Sequence, residues 1–177
     1  MMGTGVFSVI SVSTVAETFM LSQEALSRID KAVAKYPAEH KQSAVMAALT
    51  IAQDEKGHLT TETMDFVAHY LGMQPVAVYE IASFYTMYDL EPVGEHKLCL
   101  CTNLPCALSG ATEAAKHLKK RLGVDWSATT PDGKFTLREG ECFGACGDAP
   151  VILHNNKQML IGMTPDKIDR LLAELSK

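Results

Sequence analysis

Two short runs, C-T-N-L-P-C from Cys101 to Cys106 and E-C-F-G-A-C-G-D-A-P from Glu141 to Pro150, hold four of the five cysteines of the chain. One pair is spaced C-x4-C and the other C-x3-C, with room between them for one helix and one strand. Close pairs of thiolates chelate metal, and folding can bring two pairs together. A [2Fe–2S] cluster asks for that arrangement, two protein sulfurs at each iron beside the shared inorganic sulfides. Structural zinc uses similar C-x2–4-C pairs, so spacing alone leaves iron–sulfur and zinc both open. Cysteines acting as small buried apolar residues suit scattered positions better than two tight pairs in glycine-bearing loops. Disulfides belong to oxidising compartments, and no basic secretory signal is visible ahead of the first helix.

Composition narrows the class. With 177 residues, 47% hydrophobic and 21% charged, the chain can bury a core as one large domain or two small ones. A net charge of −5 argues against nucleic acid as a partner. The one basic run, Lys116, His117, Lys119, Lys120 and Arg121, falls on the polar side of an expected helix and reads as a solvated face. No run approaches the length of a membrane-spanning helix, so no direct membrane insertion is expected. Residues 1–20 are rich in Val, Ser, Thr and Gly and read as a flexible extension, with Met20 as an alternative first residue. Val6 to Val12 could instead form a strand against a partner.

From Leu21 to Pro92 the pattern is helical. A helix from Ser22 to Tyr36 is capped by Ser22 and stopped by Pro37, with Leu26, Ile29, Val33 and Tyr36 on one face. A second runs from Lys41 to Lys56 through Val45, Ala48, Leu49 and Ala52 to Gly57. A third starts at Thr60 or Thr61 and carries Met64, Val67, Ala68 and Leu71 before Gly72. A fourth opens on Pro75, buries Val78, Ile81, Ala82 and Tyr85, and continues to Tyr88. Four short-linked amphipathic helices predict a small bundle over residues 21–92.

The period changes after Met87. Tyr88 to His96 reads as a linker. Residues 93–177 then read β-α-β-β-β-α. The elements are a strand Lys97 to Cys101, a helix from Ser109 or Gly110 to Leu122, and a strand Phe135 to Glu141. A hairpin follows, Val151 to His154 and Gln158 to Ile161 around Asn155-Asn156-Lys157, and then a final helix behind Thr164-Pro165. Val124 to Lys134 is expected to be a loop with a type I turn at Thr130 to Gly133. The crossover helix permits parallel pairing of the first two strands and the hairpin makes the sheet mixed. Each cysteine pair follows a strand, so both loops can lie at one end of that sheet.

Several of these residues suit a charged metal cluster. Four thiolates and an oxidised two-iron core carry roughly −2. Gly110, Gly144 and Gly147 leave backbone N–H groups free to approach sulfur, and a helix beginning near Ser109 would point its positive end at the site. The six histidines, His40, His58, His69, His96, His117 and His154, are scattered, with none paired beside the cysteines as Rieske ligation needs. No glycine motif for phosphate and no set of catalytic residues is present. Cys99 reads as an ordinary strand residue.

Taken together, Tyr36-Pro37, Gly57-His58-Leu59, S-F-Y-T-M-Y from Ser83, P-V-G from Pro92, T-P-D-G-K-F from Thr130 and the two cysteine runs resemble one family. It is the family of the 24 kDa subunit of NADH dehydrogenase (complex I), called the E subunit in bacteria, and the likeness extends from about Leu21 to the C-terminus. The resemblance implies a thioredoxin-like α/β domain carrying a [2Fe–2S] cluster, which periodicity alone does not separate from other α/β sandwiches. The fold expected is therefore α+β: a helical bundle followed by a thioredoxin-like domain with a mixed sheet. Carried over position by position, the ligands are Cys101, Cys106, Cys142 and Cys146, and Cys99 matches none. The resemblance also implies a flavoprotein partner that binds FMN and NADH and exchanges single electrons with the cluster, further iron–sulfur subunits, and quinone as final acceptor. The chain would lie on the cytoplasmic side, peripheral to the inner face of the plasma membrane through the complex. Equivalent subunits occur in soluble NAD-linked hydrogenases and formate dehydrogenases. A free-standing thioredoxin-like ferredoxin and a zinc-held interaction module are the other readings that neighbouring genes and iron and sulfide content would separate.

Overall fold

The computed structural model describes residues 21–177, so the expectations for residues 1–20 lie outside the described part. The chain divides into two compact units between Pro92 and Val93.

The first unit is helical. Helix α1 spans Gln23–Val33, and the Ser22 hydroxyl accepts from the Ala25 amide at 3.1 Å to cap it. Ser22 in turn donates its amide and hydroxyl to the Glu55 carboxylate, and these bonds hold that carboxyl below its usual range. Residues expected to extend α1 to Tyr36 instead close as single turns before Pro37, with Tyr36 N donating to the Val33 carbonyl at 3.0 Å. A 3-10 segment, Ala38–Ala44, kinks at His40 and leads into α2, Val45–Lys56, so the second α-helix begins later than Lys41. Helix α3, Thr61–Leu71, is capped by Thr60 and ends at Gly72, whose left-handed φ of 67° suits glycine. Helix α4, Pro75–Phe84, has proline in its first turn. Ile29, Leu49, Leu59, Val67, Leu71 and Val78 fill the core between them.

Helix α4 does not reach Tyr88. Tyr85 is extended at φ −90°, ψ 119°, and the chain turns back. Tyr88 becomes buried, its hydroxyl donating to the Met46 carbonyl at 2.8 Å. The next residues, expected as linker, pack on the same unit: the Asp89 amide donates to Gln53 at 2.7 Å and the Asp89 carbonyl accepts from Leu59 N at 2.8 Å. Phe84, Tyr85 and Met87 stay on the surface.

The second unit is a five-stranded mixed sheet. Its strands are β1 His96–Cys101, β2 Ala128–Thr129, β3 Phe135–Gly140, β4 Ile152–His154 and β5 Gln158–Leu160, in the order β2-β3-β1-β4-β5. β1 and β3 are parallel, and every other neighbour is antiparallel. The two-residue β2 lies in the stretch expected as loop. The turn at Thr130 to Gly133 is present, closed by Gly133 N to Thr130 O at 2.8 Å. Helix α5, Thr112–Leu122, makes the crossover and helix α6, Pro165–Leu175, ends the chain. Ala114, Leu118, Ile168 and Leu172 from these helices share one core with Leu98, Leu100, Leu137 and Ile152 from the strands. Asp169 of α6 receives both His117 Nε2 at 2.8 Å and Arg121 Nε at 2.9 Å from α5, so part of the basic run locks two helices together.

The expected start of α5 at Ser109 or Gly110 is displaced. A helical turn, Leu104–Cys106, follows Asn103 and widens into a π segment, Ala107–Ala111. Ser109 and Gly110 leave helical geometry inside it, Gly110 at φ 100°. The break lets the chain bulge towards Pro150, whose Cγ would lie 3.7 Å from a Cβ on Gly110. Among the described residues no helix is long and apolar enough to cross a membrane.

Candidate iron–sulfur site

The parallel register decides where the cysteines go. Cys101, last in β1, lies beside Gly140, last in β3, so the chain leaves both strands at the same end of the sheet. Three bonds lace the two departing segments. Thr102 N donates to the Gly140 carbonyl at 3.3 Å, Thr102 Oγ1 to Glu139 at 2.8 Å, and Asn103 Nδ2 to Glu141 at 3.0 Å.

Cys101 is 1% exposed and Cys106 2%, packed with Ala111, Phe143 and Ala149. Cys142 and Cys146 lie on the following loop and are exposed. The four are electrostatic neighbours. Burial first, then the hydrogen bond and charge of Cys101, then the charges of Cys146 and Cys142, push the Cys106 thiol up to about 11.

Of the three glycines expected to reach sulfur, Gly144 does: its amide donates to Cys142 Sγ at 3.4 Å, with φ at 74°. A Cβ on Gly110 would stand 3.7 Å from Pro150 Cγ, and one on Gly147 would meet nothing within 4 Å. Because α5 begins at Thr112, no helix start at Ser109 faces the site.

Two contacts carry no signal in the sequence, the closure at Gly140 and the pairing of His96 with His154. A Cβ on Gly140 would clash with Phe143 Cζ and lie 2.9 Å from Cys99 Sγ, so this glycine is where the loop closes back on the sheet. Cys99, partly buried, sits between Arg138 and Leu153 in mid-strand, one pleat behind Cys101. The histidines are less scattered than they read: His96 Nδ1 meets His154 Nε2 at 3.2 Å, where β1 begins and β4 ends.

The donor set fits a two-iron cluster: four soft thiols in two loops at one end of a sheet, with a backbone N–H aimed at one sulfur. A two-iron cluster takes two sulfurs at each of two points.

Residues 29–176 match the family described as thioredoxin-like [2Fe-2S] ferredoxin. An E subunit of NADH-quinone oxidoreductase from Rhizobium meliloti is 48% identical over 124 residues, 70% of this chain and 73% of that protein. The E subunit from Rickettsia bellii is 36% identical over 165 residues, 93% and 98% respectively. The mitochondrial NADH dehydrogenase [ubiquinone] flavoprotein 2 of Dictyostelium discoideum is 44% identical over 139 residues, but the match spans only 56% of its length. A solved NAD+-reducing [NiFe]-hydrogenase overlays 75% of this chain, and 22% of its own, at a TM-score of 0.65 and 19% identity, a likeness of fold alone. The sheet, the cysteine-bearing loops and these matches lead to one assignment: the chain belongs to the thioredoxin-like [2Fe–2S] family that includes the E subunits of NADH-quinone oxidoreductase.

Proposed function

We propose that this chain is the electron-transferring iron–sulfur subunit of an NADH:quinone oxidoreductase, with Cys101 and Cys106 at one iron and Cys142 and Cys146 at the other. The observation that carries the reading is the near end-to-end match to the Rickettsia bellii relative, 93% of this chain against 98% of that protein, together with two cysteine pairs at one end of the sheet. When bound, the cluster accepts and releases one electron at a time.

The chain's own residues hold and insulate. β1 and the turn behind it bury one thiol pair, the Glu139–Thr102 and Glu141–Asn103 bonds keep the second loop alongside, and the Gly144 amide offsets negative charge at Cys142. None of these residues makes or breaks a covalent bond in substrate. Hydride chemistry on NADH therefore falls to a flavoprotein partner carrying FMN, and onward transfer to further iron–sulfur subunits. The complex would sit at the inner face of the membrane, with this chain attached through its partners. Phe84, Tyr85 and Met87, exposed at and just beyond the end of α4, suit a partner surface because aromatic and Met side chains are favoured there.

The test is to express the full chain with and without its flavin-carrying neighbour. The reading expects two irons and two acid-labile sulfides per chain, a one-electron EPR signal on reduction, and reduction by NADH only when the flavoprotein is present. Zinc in place of iron, or direct reduction by NADH without the partner, would sink it.

A further inference from the structure

The two cysteine pairs live in opposite environments. Cys101 and Cys106 are 1% and 2% exposed, closed in by Ala111, Phe143 and Ala149. Cys142 and Cys146 are exposed to solvent, and Cys142 receives the Gly144 amide. A two-iron cluster bound by all four would therefore have one iron inside and one outside. From this asymmetry we infer that Cys142 and Cys146 hold the iron that takes the electron, while the iron of Cys101 and Cys106 stays ferric in both states. The inference rests on the ligand assignment above.

The physical argument is one of charge. One electron from a reductant changes one iron from ferric to ferrous, and the cluster with its four thiolates goes from about −2 to about −3 with no proton taken up. Added negative charge costs most where water and donors are scarce. The Cys101–Cys106 pair is buried and packs against the side chains of Ala111, Phe143 and Ala149. Cys142 and Cys146 are exposed residues, and an N–H already points at the Cys142 sulfur; such bonds strengthen as the sulfur gains charge. Glu141 and Asp148 lie beside this pair and oppose the change, but both are exposed, and water and salt screen charges of that kind. The donor must then approach over the loop from Glu141 to Asp148 rather than over the π segment.

The experiment is proton NMR of the full holo-chain reduced with dithionite. In a valence-trapped pair, cysteine β-protons on the ferric site lose contact shift on warming, and those on the ferrous site gain it. Resonances are assigned in two ways: by nuclear Overhauser contacts to the Ala111 methyl, which packs with Cys101 and Cys106, and by Cys→Ser variants one at a time. The first route needs no mutation, so loss of cluster in a variant does not stop the measurement. The expected result is that protons touching Ala111 behave as ferric, and those that vanish in Cys142→Ser or Cys146→Ser behave as ferrous. The reverse pattern, or equal behaviour at all four cysteines, overturns the inference. Absence of any contact-shifted signal, with no iron bound, is a different failure and would strike the ligand assignment itself.

Discussion

The tip of the Phe143 ring abuts Gly140: a Cβ added to the glycine would clash with Phe143 Cζ and lie 2.9 Å from the Cys99 sulfur and 3.2 Å from the Leu100 carbonyl. The Phe143 ring and the Cys99 sulfur must both give way, and the Leu100 carbonyl, being backbone, leaves little room on the third side, so the ring and its loop are displaced. Gly140→Ala is expected to destabilise the second unit by about 1–3 kcal/mol, the usual range for overpacking. It should also lower the iron retained after purification, because Phe143 closes over Cys101 and Cys106. Urea unfolding and iron content, compared with wild type, check both.

Replacing Cys101, Cys106, Cys142 or Cys146 by Ala should remove or severely weaken cluster assembly, while Cys99→Ala should keep it. Cys99 stands in mid-strand, flanked on both sides by paired strands, and cannot swing to the end of the sheet without breaking β1. Visible absorbance of the five variants decides the matter. A cluster lost with Cys99→Ala but kept with Cys142→Ala would reverse the assignment.

Tyr88→Phe keeps the ring in the core and removes the bond from its hydroxyl to the Met46 carbonyl. That carbonyl also accepts from Thr50 Oγ1 at 2.9 Å, so it is not orphaned. The cost should fall near the low end for a hydrogen bond, about 0.5–1 kcal/mol, read as a fall in the unfolding midpoint of the first unit.

Burial first, and the charge of His96 second, hold the His154 pKa below the ordinary histidine value. The unfolded chain then binds a proton near pH 6.5 that the folded chain refuses. This contribution is complete above that pH and fades as the pH falls from about 6.5 towards the lowered folded value. Unfolding midpoints measured across that window should drop less for His154→Gln than for wild type. An identical acid limb in both proteins would contradict the prediction.

A fragment of residues 93–177 contains all four site cysteines and coincides with the second compact unit. It should assemble the cluster. If Phe84, Tyr85 and Met87 form the partner surface, it should co-purify poorly with the flavoprotein, and Phe84→Ser in the full chain should weaken the complex likewise. Equal retention of fragment and full chain on an immobilised flavoprotein would show that the helical unit serves some other purpose.

What was legible in the sequence was what repeats. The stripes Met64–Val67–Ala68–Leu71 and Ile168–Leu171–Leu172–Leu175 name their helices because burial follows the helical period. Asn155-Asn156 marks the hairpin because both residues tolerate positive φ, at 49° and 56°. Features without a period were hidden. β2 is two residues long, and aromatic residues after Phe84 continue a helical rhythm that the backbone abandons at Tyr85. At the site, spacing and resemblance together named the cysteines. No pattern distinguishes buried Cys101 and Cys106 from exposed Cys142 and Cys146, because that difference comes from the π segment and from Phe143, both products of tertiary packing.

The central place of β1 also bears on how the site opens. β1 is hydrogen-bonded on both sides, and the Cys101 amide is held by the Val151 carbonyl at 3.0 Å, so amide exchange there should follow opening of the whole sheet. The loop bearing Cys142 and Cys146 can loosen by itself, held by a few exposed bonds. Chelators would therefore gain access to a group held by the four thiols at the Cys142–Cys146 loop, and its loss should outpace amide exchange in β1. Cys101, at the end of a strand paired on both sides, would stay in place for reloading.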